Sequence, residues 1–170
     1  MRELARTLGV SHAAPRSHFA DRDALLDALA QRGFDRLGAS LIDAESPRDG
    51  SEQDLPARFR ATMAAFVAFA SAHPELLDLM FARKRASRDS ASELDIAADH
   101  ALGQISGLIE EATALGVLAP AEATRQWYLL AALTRGIASL VLAGDIAPDA
   151  IETLITDATT TFLRGNRPPA

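Results

Sequence analysis

Apolar residues recur every three or four positions along most of this chain, and this spacing constrains the fold more than any other feature of the sequence. It is the spacing that places apolar side chains on one face of an α-helix. Alanine and leucine dominate and β-branched residues are sparse, which disfavours β-strands. Since 48 % of the 170 residues are hydrophobic, the chain can bury a sizeable core. The sequence therefore predicts an all-α fold.

Proline, glycine and polar residues interrupt the periodic segments and mark helix ends. Beyond residue 20 they predict helices over 21–44, 55–72, a short one from 74, 91–115, from about 120 to 143, and 148–165. The first of these helices contains Gly33 and Gly38, which are expected to weaken it slightly. Its predicted apolar stripe consists of Leu26, Leu29, Leu37 and Leu41.

Residues 2–19 have the pattern of two short helices joined by a tight turn. Gly9 accepts the left-handed conformation that follows a helix C-terminus, and Ser11 can cap the helix that follows. Two helices joined by a short turn containing glycine are typical of a helix-turn-helix, whose second helix lies in the major groove of DNA. Residues 1–22 hold four arginines and two acidic residues, although the whole chain has a net charge of −6. A basic end on an acidic body suits contact with phosphates at that end alone.

This N-terminal pattern resembles the DNA-binding module of the tetracycline-repressor (TetR) family. The matching strings are Arg2-Glu-Leu-Ala-Arg-x-Leu-Gly-Val-Ser, His18-Phe19 and Asp21-Arg-Asp-Ala-Leu-Leu. A second set of strings resembles the WHG-like C-terminal domain found in one subgroup of the family. These strings are His73-Pro74-Glu75-Leu76, Met80-Phe81, and Gly136-Ile-Ala-Ser-Leu with Gly144. The resemblance implies a helix-turn-helix DNA-binding domain over 1–45 and a helical-bundle domain for ligand binding and dimerisation over 52–165.

The chain departs from the family pattern at two places. Family members begin with a further helix that packs over the helix-turn-helix, whereas Met1 here falls at the start of the second helix. Two interpretations are open: a start codon assigned too late, or a DNA-binding core that lacks one wall. The second departure is at Arg16-Ser17, where the family usually has an aromatic residue before the His-Phe pair. Arg16 can contact a phosphate but cannot supply aromatic packing.

The candidate DNA-binding residues follow from the position of the recognition helix. Its N-terminal residues meet base edges, and residues further along meet the phosphate backbone. The resemblance adds a residue at the start of the next helix, where the family often has a phosphate-binding lysine. The alternative for the two histidines is a solvated or packed side chain. The candidates are Arg2, Ser11, His12, Ala13, Ala14, Arg16, Ser17, His18 and Arg22.

The larger part of the chain has helices rich in aromatic residues and methionine, which suggest an effector pocket. Plain hydrophobic core is the alternative for each of these residues. The resemblance favours the pocket, because the family binds small, often apolar effectors between such helices; a few polar groups would orient the ligand. The apolar candidates are Phe59, Met63, Phe66, Met80, Phe81, Ile105 and Trp127, and the polar ones are His100, Gln104, Thr134 and Arg135.

The last two helices are expected to form a homodimer interface, because their apolar stripes are wide and rich in alanine. A two-fold dimer would place two recognition helices about one DNA turn apart, which matches a palindromic operator.

Enzymatic function is not expected. The chain has no cysteine, which excludes disulfides, thiolate metal sites and a cysteine nucleophile, and no phosphate loop, dinucleotide fingerprint or nucleophile elbow occurs. The nearest approach to a metal site is the group Glu93, Asp95, Asp99 and His100, which the sequence indicates is solvated charge. The basic residues Arg83-Lys84-Arg85 and Arg88 are likewise interpreted as a solvated loop, and a phosphate contact is the alternative. We expect no metal and no cofactor.

No signal peptide opens the chain, and no uninterrupted apolar run is long enough to cross a bilayer, so we expect a cytoplasmic protein without a membrane partner. The expected function is that of a DNA-binding transcriptional regulator that acts as a repressor. A small, largely apolar effector is expected to release it from its operator. The alternative is a helical protein that binds ligand and dimerises but no longer binds DNA.

Overall fold

The structure is a computed structural model that describes residues 19–44, 50–87, 92–120 and 123–168. Over these ranges the chain forms six α-helices: α1 Arg22–Ala44, α2 Leu55–Ala72, α3 Pro74–Ala86, α4 Glu93–Ala114, α5 Ala123–Ala143 and α6 Ile151–Gly165. The prediction of an all-α fold is confirmed. Short 3₁₀ turns at Glu52–Asp54 and Pro148–Ala150 precede α2 and α6, so the last helix begins at Ile151 rather than at the predicted Pro148.

Local capping explains where several helices begin and end. The side chain of Asp21 accepts a hydrogen bond from the Ala24 N–H at 2.8 Å, as the sequence predicts. The Ser92 hydroxyl caps α4 in the same way. Past the C-terminal end of α4, Gly116 adopts a φ of 75°, a left-handed conformation that glycine tolerates without strain.

Helix α1 lies against three other helices and packs most extensively on α4 and α3. Its two internal glycines mark these crossings. A Cβ added to Gly33 would lie 2.5 Å from Met80 Sδ of α3, and one added to Gly38 would lie 3.3 Å from the Ala101 Cα of α4. The expectation that these glycines merely weaken the helix is therefore incomplete, because they let α1 approach its neighbours closely.

Helix α2 is the apolar centre of the other half of the bundle and packs against α5 and α6. A buried arginine joins α2 to α4: both terminal nitrogens of Arg58, which is 3 % exposed, donate to the two carboxylate oxygens of the half-buried Glu111 at 2.7 Å. Two parallel hydrogen bonds of this kind fix both the distance and the orientation of the two helices.

The basic segment 83–85 corrects a prediction made from the sequence. It lies in the last turns of α3 rather than in a loop, and Arg88 lies outside the described residues. Arg83 donates to Asp27 of α1 at 2.6 Å and to Asp23 at 3.0 Å, and Lys84 pairs with Asp95 and Asp99 of α4. These charges therefore connect α3 to its neighbours.

Helix α5 is long and apolar enough to cross a membrane by length and composition, and α2 with α3 would pass the same test as a pair bent by 106°. The core helices of a globular bundle pass this test too. Arg135 lies in the middle of α5, and a central arginine is costly in a bilayer. Because α5 also packs against α2, α4 and α6, we interpret it as a helix of the bundle.

Candidate ligand cavity

A cavity lies between α2, α4 and α5, with a contribution from α3. Its free volume is about 30 Å³, which leaves room for little more than one water molecule. The residues around it are mostly apolar: Thr62, Met63, Phe66, Phe81, Leu102, Ile105, Trp127, Leu130, Ala131, Thr134 and Arg135.

Helical periodicity explains why these residues meet. Leu102 and Ile105 of α4 are three positions apart, and Trp127, Leu130 and Thr134 of α5 follow one another at intervals of three and four. Residues at these spacings lie on one face of a helix. Each helix therefore turns one narrow stripe of residues towards the cavity.

The structure brings together only part of the predicted effector pocket. Met63, Phe66, Phe81, Ile105, Trp127 and Thr134 line the cavity, as does Arg135.

The other four predicted residues lie elsewhere. Phe59 is buried with its ring centroid 5.5 Å from that of Phe162 in α6, and Met80 is buried beside Gly33. His100 is exposed, and the Gln104 amide is 3.5 Å from the His100 carbonyl oxygen. The interpretation of plain core fits Phe59 and Met80.

Two threonines of the cavity differ in their hydrogen bonding. The Thr134 hydroxyl donates to the Leu130 carbonyl at 2.8 Å. The Thr62 hydroxyl, in a residue only 2 % exposed, has no hydrogen-bond partner among the described groups. Sequence reasoning overlooked Thr62, because threonine in a helix usually bonds the carbonyl four residues back and then carries no further signal.

Arg135 lies at the edge of the cavity and is exposed. Its guanidinium carbon lies 3.7 Å from the centroid of the Phe81 ring, a cation–π contact. Burial, and then the positive charge of Arg85, lower the pKa of Arg135 below its ordinary value, and the nearby carboxylate of Asp78 acts in the opposite direction. The guanidinium still remains charged, because arginine does not lose its proton in proteins.

Two neighbouring spaces share walls with this cavity. An open groove of about 560 Å³ runs between α4 and α5, and it shares Leu102 and Trp127 with the cavity. A second space of about 170 Å³ shares Phe66, Phe81 and Arg135 with it. Leu102 and Trp127 therefore separate the cavity from the open groove, and Phe66, Phe81 and Arg135 separate it from the second space.

Phe81 also connects the cavity to α1. Its ring meets the ring of Phe34 edge to face, with centroids 5.6 Å apart. Phe34 is fully buried on the face of α1 that meets the bundle. The Phe81 side chain thus lines the cavity and contacts both Arg135 and α1, the helix that follows the predicted helix-turn-helix.

The predicted DNA-binding residues fall almost entirely outside the described residues. Arg22 is described: it is the first residue of α1 and is exposed. The rest lie outside the described ranges, namely Arg2, Ser11, His12, Ala13, Ala14, Arg16, Ser17 and His18.

The acidic group at the start of α4 corrects another expectation. Asp95 is 5 % exposed and accepts hydrogen bonds from Lys84, Ser87 and Ser92. These bonds, the one from Lys84 foremost, lower the pKa of Asp95 to about 2. Asp95 is therefore a buried partner that joins α3 to α4, and not a solvated charge. Within the described ranges, no three His, Cys, Asp or Glu side chains are grouped so that they could hold a metal ion.

Comparison of the chain with known proteins identifies the family to which it is similar. The model of a family described as tetracyclin repressor-like, C-terminal domain, matches residues 59–162. A solved structure of a protein with unknown function from a Rhodococcus species is 41 % identical, with a TM-score of 0.83 over 98 % of this chain and 84 % of that chain. A TetR family transcriptional regulator, PfmR from Thermus thermophilus, shares the fold at 16 % identity, with a TM-score of 0.65 over 96 % of this chain and 86 % of that one. No curated protein sequence matches.

Proposed function

Because the chain belongs to the TetR family of transcriptional regulators, we propose that it is a homodimeric, cytoplasmic repressor that leaves a palindromic DNA operator when a small, largely apolar effector binds. The observation that carries this proposal is the apolar cavity inside the matched domain, with the Phe81 side chain in contact with both the cavity and α1. A buried apolar space with a few polar groups is the common form of a small-molecule site.

The cavity as described is nearly filled, so the effector must displace side chains to enter. Trp127 and Leu102 stand between the cavity and the open groove, and they form the natural entrance. Phe81 and Arg135 line both the cavity and the second adjoining space. A molecule that fills the cavity would press on Phe81, which in turn contacts Phe34 of α1.

The proposed response is a shift in population between two positions of α1. Interfaces in packed cores tend to have discrete arrangements, so a small displacement at a ligand site can move a whole helix. Arg83 holds α3 to Asp23 and Asp27 near the start of α1. When α3 moves, α1 is expected to move with it, which changes the separation of the two recognition helices of the dimer.

The outer face of α5 supports the proposed dimer. Leu129, Ala132, Gly136 and Leu140 recur at intervals of three and four and are exposed. A Cβ added to Gly136 would meet no atom of the described residues within 4 Å, so packing among those residues does not require a glycine there. A small residue on an apolar face allows the helix of a second copy to approach closely. This region overlaps the predicted interface on the last two helices.

The proposal is tested by DNase footprinting with the whole chain on the DNA upstream of its own gene. We expect two protected half-sites related by two-fold symmetry, with centres about 34–36 Å or a multiple of that distance apart. A folded dimer that protects no site, even at low salt, would contradict DNA binding and would favour the alternative of a ligand-binding protein without DNA-binding function.

A further inference from the structure

We propose that the effector of this cavity is a small, mostly apolar molecule bearing one carboxylate, and that Arg135 recognises the carboxylate. This proposal rests on the ligand-binding role proposed above and adds the chemical class of the ligand.

The apolar part of the ligand follows from the lining. Side chains such as Met63, Phe66 and Ile105 offer no charge and no strong hydrogen-bonding group to a bound molecule. A strongly polar ligand would lose its hydration there without compensation. The body of the ligand must therefore be hydrocarbon or aromatic.

The charge of the ligand follows from the surroundings of Arg135. Arg58 and Arg83 each donate hydrogen bonds to a carboxylate, whereas no carboxylate of the described residues lies within 4.0 Å of the Arg135 guanidinium. Arg85 adds a second positive charge nearby, and Asp78 offsets only part of it. Arg135 is exposed, but the neighbouring helices remove part of the water from its guanidinium. Since no carboxylate replaces that water, an anion placed there would gain a charge-assisted hydrogen bond.

The position of Arg135 indicates where the carboxylate of the ligand would lie. The Phe81 ring lies under the guanidinium, and Arg135 lines both the cavity and the adjoining space of about 170 Å³. The planar guanidinium matches a carboxylate through two parallel hydrogen bonds. A ligand whose hydrocarbon part fills the cavity would therefore present its carboxylate at the edge.

The Thr62 hydroxyl supplies a second, independent indication of a ligand. It is buried and unpartnered among the described groups, and it lines the same cavity. Buried hydroxyls ordinarily have a hydrogen-bond partner. An oxygen atom of the bound molecule would provide one.

The test uses the single tryptophan of the sequence, Trp127, which lines the cavity. Its fluorescence in the whole chain is titrated with hexanoate, octanoate, decanoate and 3-phenylpropanoate, and with the alcohol of each carbon skeleton. Isothermal calorimetry measures the same affinities independently. For the best-fitting skeleton we expect the carboxylate to bind about ten- to a hundredfold more tightly than its alcohol, since hydrogen bonds between charged groups are worth that difference.

Two arginine variants assign the preference. In Arg135→Gln the carboxylate and the alcohol should bind nearly equally, and in Arg135→Lys part of the preference should remain. Arg60→Gln is the matched control, because it removes the same charge from an exposed position on α2 outside the cavity, and it should retain the full preference. Circular dichroism establishes that each variant is folded.

The outcomes separate this proposal from the proposed function. Equal affinity for carboxylates and alcohols in the unmodified chain overturns the anionic class but leaves the cavity as a ligand site. A preference that persists in Arg135→Gln overturns the role of Arg135. If no compound binds, the proposed ligand class is wrong, whereas DNA binding is judged separately by the footprint.

Discussion

The substitution Thr62→Val tests whether the cavity holds a polar group that the free protein leaves unsatisfied. The hydroxyl is fully enclosed and has no hydrogen-bond partner among the described groups, a situation that costs about 1–3 kcal/mol. Valine replaces the hydroxyl by a methyl group of similar size. The cavity can admit water, which would meet part of the hydroxyl's requirement, so we take the lower end and expect a gain of about 1 kcal/mol in the free energy of unfolding.

Urea denaturation followed by circular dichroism measures this gain, and the melting temperature should rise by about 2–4 °C for a chain of this length. Thr134→Val is the matched control: its hydroxyl already donates to Leu130, so the substitution should be neutral or destabilising by up to about 1 kcal/mol. If Thr62→Val destabilises the chain as much as Thr134→Val or more, the hydroxyl is satisfied in the free protein and the reasoning is wrong.

Three further predictions concern the buried ion pair, an acidic residue and the dimer. Glu111→Gln should cost about 2–3 kcal/mol in urea denaturation, less than the ~3–5 kcal/mol of a wholly uncompensated buried charge, because Asp54 lies 3.8 Å from the Arg58 Nε; a loss well below 1 kcal/mol would contradict this account. The pKa of Asp95 is lowered to about 2, so its contribution to stability is complete above the unfolded pKa of about 3.9 and is lost as the pH falls from about 4 towards 2. Asp95→Asn should therefore show a smaller loss of the urea midpoint than the unmodified chain over that range, and an equal loss would refute the assignment. Gly136→Arg should convert the proposed dimer to a folded monomer in sedimentation equilibrium, and a dimer that persists in the variant would exclude the outer face of α5 as the interface.

Helix α1 illustrates which features of the structure the sequence predicts and which it does not. Its bounds are predicted almost to the residue, since the capping residue Asp21 and the sequence 46–51 after the helix, which contains proline, glycine and serine, give clear signals. The predicted stripe is less accurate: Leu29 is exposed and Phe34 is fully buried. At 100° per residue, Leu29 lies about 80° from Leu37 around the helix and Phe34 about 60° from it. Only the arrangement of neighbouring helices decides which of two such positions is buried.

The roles of Gly33 and Gly38 could not be read from one sequence, because a close helix crossing leaves no mark in the chain other than the glycine itself. The same limit applies to the cavity. Phe59 precedes Met63 by one helical turn and shares its face, yet it packs on Phe162 while Met63 reaches the cavity. The depth of a residue along a helix relative to its neighbours decides this difference, and the periodicity of a single helix does not contain it.

Charged residues show a similar pattern. Local composition predicts that Lys84 and Asp95 are solvated, but they meet across the junction between α3 and α4, eleven residues apart in the chain. The i, i+4 spacing of Asp95 and Asp99 predicts that both lie on one face, and both do contact Lys84. Spacing within a helix is thus predictable, whereas the partner from another helix is not.

The central claim, that this chain is a DNA-binding regulator, is tested most directly by fluorescence anisotropy of labelled DNA from upstream of its own gene. Unlabelled DNA of the same sequence and scrambled DNA of equal length serve as competitors, at about 50 and 200 mM salt. We expect the native sequence to compete about 10³-fold or more better than the scrambled one, and the affinity to fall as salt rises. A folded dimer that binds neither DNA, or binds both equally at each salt concentration, would contradict the claim.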